Sequence, residues 1–142
     1  MTLGADEAYH GQKWYQAHKE QHREGMRKWE KSHPYRSWAY KTRNAHKAKG
    51  YEVELTNDEV EAMAKITPIC PICGIELDYS VHTKDGKIQS NSPSLDRKDG
   101  GKVLNVSNTW IVCNRCNRTK GDRTWKEFVS YCKMVAEHGD KL

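Results

Sequence analysis

Four cysteines carry the strongest chemical signal in this chain. Cys70 and Cys73 form one C-x-x-C pair, Cys113 and Cys116 form a second, and 39 residues separate the pairs. Two such pairs supply the four thiolates that a closed, tetrahedral zinc site takes. Four unrelated buried cysteines would be a much rarer arrangement. The segment between the pairs is short and polar and contains Leu95-Asp96-Arg97, a carboxylate beside a guanidinium. Asn117 directly follows the last cysteine of the second pair. The fifth cysteine, Cys132, falls on an apolar helical stripe and reads as a core residue.

The rest of the chain must position these groups with little apolar material. Of its 142 residues, 36% are hydrophobic and 30% charged. Such a core usually needs a staple, and a bound metal is one. Neither a secretory signal nor an apolar run long enough for a membrane span is visible, so the expected location is cytoplasmic, without a membrane partner. In that compartment paired cysteines read as metal ligands, not disulfides.

Charge is unevenly spread. Residues 1–50 hold 11 Lys+Arg and 5 Asp+Glu, a net of +6; residues 51–142 hold 13 and 14, a net of −1. This predicts a basic helical arm over 1–50 and a near-neutral core over 51–142, with a polyanion such as DNA as partner.

Within the arm, Trp14, His18, His22, Met26 and Trp29 recur at helical spacing over residues 5–32, either to track DNA or as an ordinary solvated helix. His33-Pro34 breaks the pattern. A second helix follows, with Tyr35 and Trp38 on its stripe and Gly50 as its stop. Arg36, Lys41, Arg43, Lys47 and Lys49 surround those aromatics, a mixture suited to phosphate contact and base stacking. The aromatics could equally pack this helix onto the core.

Further on, Thr56 to Glu59 and Thr124 to Glu127 are capping boxes that open helices. Residues 92–97 and 108–113 read as strands, with a turn at 99–102, and residues 113–120 as a knuckle opening a helix. Phe128, Val129, Cys132, Val135 and Ala136 read as the buried side of the last helix.

Cys70-Pro71-Ile72-Cys73-Gly74, Leu95-Asp96-Arg97, Asn108, Cys113, Cys116, Asn117 and Lys120 together resemble the HNH endonucleases. The likeness is nearest to the zinc-clamped phage type of recombination endonuclease VII and covers about a third of the chain. It implies an α+β fold: a ββα-metal (His-Me finger) core with a structural zinc and an extended helical arm. It also implies a DNA endonuclease that leaves 5′-phosphate and 3′-hydroxyl ends. If phage-encoded, it would work in the host cytoplasm, and a homodimer is compatible with the pattern.

By the same resemblance, Asp96 and Asn117 would hold a catalytic Mg²⁺ or Mn²⁺, and Asn108 would tie the loop to the hairpin. Arg115, Arg118, Lys120 and Arg123 would hold phosphates. The family places histidine directly after the metal aspartate, as general base, and here that position is Arg97. A guanidinium, with a pKa of roughly 12 or more, accepts no proton at neutral pH. Three readings remain open. Arg97 steadies charge while His82 or solvent activates water; phosphate or metal alone activates it; or the module binds DNA without turnover.

Overall fold

A computed structural model describes residues 5–80, 87–101 and 103–142, the first five of these by backbone alone. The described residues form an α+β chain with five helices and one two-stranded antiparallel sheet. Chain contacts divide it into two units, Met1–His33 and Pro34–Leu142.

The first unit is a single helix, α1 (Ala5–Ser32). Its apolar stripe is narrow, as the spacing predicts. Trp14 stacks on His18 with ring centroids 4.4 Å apart, and Trp29 stacks on His33 at 4.7 Å. Trp14, Met26 and Trp29 nonetheless remain exposed.

The second unit begins with α2 (Pro34–Ala48). The sequence pattern groups this helix with the arm and puts the boundary at residue 50; the structure divides the chain after His33. The reason is packing. Ser37 and Ala39 are buried. Tyr35 and Trp38 meet the buried Tyr79 ring, Trp38 edge-on at 5.3 Å. The aromatics of α2 therefore serve the core, while Lys41, Lys47 and Lys49 stay at the exposed surface.

Helix α3 (Asn57–Lys65) starts at Thr56 with both reciprocal bonds of the capping box, and buries Val60 and Ala64. The first cysteine knuckle follows, closed by an isolated bridge between Ile69 and Glu76. Strands β1 (Pro93–Arg97) and β2 (Thr109–Cys113) pair antiparallel, with Asp96 opposite Trp110 and Pro93 opposite Cys113. Helix α4 (Asn114–Lys120) leaves β2 directly, capped by Cys113, and Gly121 ends it with a positive φ of 60°. Leu55, Val60, Leu77, Leu95, Leu104, Ile111 and Val112 form the core among these elements.

Helix α5 (Trp125–Gly139) opens with the second capping box, at Thr124. Its expected buried side is only partly realised. Phe128 is buried, but Cys132, Val135 and Ala136 are exposed, so Cys132 is not a core residue. Among the described residues, the ring contact from α5 to the hairpin is Trp125 against Trp110, and Phe128 packs on Trp125 within the helix. No described helix is long and apolar enough to cross a membrane.

Candidate metal centre and the adjoining polar cavity

The two cysteine pairs meet. The Sγ atoms of Cys70, Cys73, Cys113 and Cys116 all lie within 4.8 Å of one another, although the pairs come from opposite ends of the core. Local backbone makes this convergence. Pro93 pairs with Cys113 at the end of the sheet, and the Ile69–Glu76 bridge closes the first knuckle on itself. Gly74 turns that knuckle with φ of 77°. The Cys113 amide donates to Cys70 Sγ at 3.2 Å, and the Cys116 amide to Cys113 Sγ at 3.3 Å. Amides aimed at sulfur stabilise thiolates, and four thiolates in such a cluster could hold a structural ion, zinc being the metal this donor set suits. The Cys73 thiol is lowered to about 7, the Ile75 amide being the largest cause. Burial instead pushes Cys113 and Cys116 up. A metal must therefore displace protons from the buried pair, which makes its affinity rise with pH.

Asp96 takes a partner that the sequence pattern does not name. Its carboxylate is buried and faces Lys120, whose ammonium lies 3.3 Å from each oxygen. Trp110 Nε1–H donates to Oδ2 at 2.7 Å. Asn117, one turn before Lys120, donates its amide to Ser94 Oγ at 2.7 Å instead of joining Asp96. Thus α4 is pinned to β1 by two polar contacts in step, Ser94 with Asn117 and Asp96 with Lys120. The periodicities explain this. Residues two apart on a strand share a face, as do residues three apart on a helix.

Lys120 is therefore not a surface phosphate ligand. It is fully buried, and it also donates to the Arg97 carbonyl at 2.8 Å. Arg123 is committed as well. Its Nη1 caps the end of α4 through the carbonyls of Thr119 and Lys120, and its guanidinium lies over Tyr131. Arg43 donates from Nε to the Leu55 carbonyl, and Arg36 pairs with Glu61 at 3.8 Å. Arg115 and Arg118 remain exposed on α4. Asn108 organises the loop between the strands. Its Oδ1 accepts from the Asp99 amide, its Nδ2 donates to the Val103 carbonyl, and its own carbonyl accepts from Lys98 N. His82 lies outside the described residues.

Beside β1 opens a cavity of about 190 Å³. Asp96, Arg97 and Asn117 line it, and so do His46, Lys49, Tyr51 and Asp122. The Arg97 guanidinium lies 4.6 Å from the centre of the Tyr51 ring. Compared with family models, curated proteins and solved structures, the chain matches none.

Sequence reasoning passed over His46, Tyr51 and Asp122. His46 sits on a helix read for its basic residues, and nothing in its spacing ties it to residues about fifty positions later. Asp96, Asp122 and Asn117, among its lining residues, carry side-chain oxygens of the kind a hard cation takes when phosphate and water complete its shell. Lys120 already matches the charge of Asp96, so a cation there has to share that carboxylate. Among the described residues, the cysteine tetrad is the one group of three or more His, Cys, Asp or Glu side chains close enough to hold an ion together.

Proposed function

We propose that this chain is a metal-dependent DNA endonuclease of the HNH type, its ββα-metal core formed by β1, β2 and α4 and stapled by zinc at the cysteine tetrad. The observation that carries the reading is the cavity itself. It gathers Asp96, Arg97 and Asn117 from the hairpin and the following helix, and it lies in a unit whose excess charge is positive. Arg97 and Lys49 would attract a phosphodiester into it. Asp96, Asp122 and Asn117 would hold a Mg²⁺ or Mn²⁺ that arrives with that phosphate. Bound there, the cation would supply charge stabilisation to the leaving oxygen. Arg97, held against Tyr51, would steady the added charge on phosphorus. Exposed Arg115, Arg118, Lys41 and Lys47 would contact flanking phosphates.

A second reading, DNA binding without turnover, is favoured by the Asp96–Lys120 pair, which already occupies the carboxylate. Nicking of supercoiled plasmid decides between them, with Mg²⁺ or Mn²⁺ added or left out. Omission is the right control, because a chelator would also strip the tetrad. Cleavage that requires the added cation supports the nuclease. Tight binding with no cleavage under either cation overturns it in favour of the binding module.

A further inference from the structure

His46 lies near the end of α2 and lines the cavity opposite the hairpin residues. Its Nδ1 stands 2.8 Å from the Thr42 carbonyl oxygen. A carbonyl oxygen only accepts, so Nδ1 carries a hydrogen and the lone pair of the neutral ring sits on Nε2. His18 and His33 make the same bond to the carbonyl four residues back, so the bond by itself is a local habit of helical histidine. His33 is exposed and His18 is half-buried on α1, whereas His46 is half-buried on the cavity wall. Tyr51 connects it to the hairpin. The His46 ring lies 5.7 Å from the Tyr51 ring, and the Arg97 guanidinium lies 4.6 Å from the same ring. One tyrosine is thus flanked by an imidazole and by the guanidinium that cannot accept a proton.

Resting on the nuclease reading above, we propose that His46 is the catalytic base of this site. Its Nε2 takes a proton from the attacking water as the water oxygen bonds to phosphorus. The bond from phosphorus to the leaving sugar oxygen breaks, and that oxygen takes a proton from solvent. Nε2 then returns its own proton to solvent. The charged and titratable groups facing this space are Lys49 after the same helix, Tyr51 in the link that follows, Asp96 and Arg97 on β1, and Asp122 after α4. Lys120 stands behind the lining, bonded to the Asp96 carboxylate and the Arg97 carbonyl. Helix α2 so supplies the proton acceptor that the hairpin lacks.

The test compares nicking by wild type, His46→Gln and the double variant His46→Gln/Arg97→His across the imidazole range, about pH 5 to 8. Glutamine can still donate to Thr42, so the end of α2 is kept, and bound zinc and thermal unfolding are followed alongside. His46→Gln should lose about 100-fold or more in rate with its DNA affinity kept, and should lose the fall in rate toward acid pH. Arg97→His in that background should restore part of the rate. If His46→Gln cuts at the wild-type rate with the same pH profile, His46 is not the base and the nuclease reading stands. If wild type binds DNA and never cuts, both fail together.

Discussion

The Lys120 ammonium sits 3.3 Å from both carboxylate oxygens of Asp96, and the two side chains are buried together between β1 and α4. Taking two charges out of water is costly, and the pair offsets that cost only while both members and their hydrogen bonds are present. Trp110 and the Arg97 carbonyl provide those further bonds. Asp96 is therefore part of what holds the hairpin to the helix, whatever else it does.

Removing either partner should destabilise the fold strongly. Asp96→Ala or Lys120→Ala each leaves an uncompensated buried charge, with an expected loss of about 3–5 kcal/mol. Replacing both by apolar residues of similar volume, Asp96→Leu with Lys120→Met, should recover much of it. Urea unfolding of the zinc-loaded protein measures this. Single variants as stable as wild type would mean the pair is not formed in solution. A loss of cleavage in Asp96→Ala is interpretable only beside that measurement.

The tetrad should act as a folding element. It joins segments that no strand pairing connects, and binding energy at such a site is folding energy. Cys113→Ser should lose bound metal and cooperative unfolding together, with metal measured by release into a colorimetric chelator. Cys132→Ser, outside the tetrad and exposed, should change neither. Affinity for zinc should rise with pH, because burial holds protons on Cys113 and Cys116. A metal-free Cys113→Ser protein that still unfolds cooperatively would contradict the assignment.

Affinity for DNA should follow α2 rather than α1. Residues 1–33 hold 6 Lys+Arg and 5 Asp+Glu, a net of +1, whereas residues 34–50 hold 5 Lys+Arg and no acid, a net of +5. Deleting residues 1–33 should therefore leave the salt dependence of binding nearly unchanged. Changing Lys41, Lys47 and Lys49 to Ala should flatten it, by about 0.9 in the log–log slope for each phosphate that is no longer neutralised. A truncation that removes most of the slope would return the role to α1.

Local signals in the sequence were reliable where they were chemical. Both capping boxes, the two strands and the meeting of the cysteine pairs could be read directly, since each depends on residues a few positions apart or on a ligand set with few other uses. The site was harder. Strand alternation puts Asp96 and Leu95 on opposite faces, but it does not say whether Asn117 or Lys120 meets the carboxylate, because both lie on the same face of α4. A lysine three residues beyond an asparagine looks like surface charge until the helix is docked. Cys132 and Val135 have helical apolar spacing that no described partner buries, and His46 has no sequence neighbour that marks it.

One backbone crossing limits how this core can vary in length. A Cβ on Gly100 would collide with the Asp122 carbonyl oxygen, and the Trp125 amide donates to the Lys98 carbonyl at 3.0 Å. The turn that leaves β1 and the link between α4 and α5 thus touch main chain to main chain, with no side chain between them to take up slack. Insertions or deletions in the two segments are coupled. A residue gained in one has to be absorbed by the other, or Gly100 is displaced from the Asp122 carbonyl it packs against. Length variation in chains of this design should therefore spare these two segments.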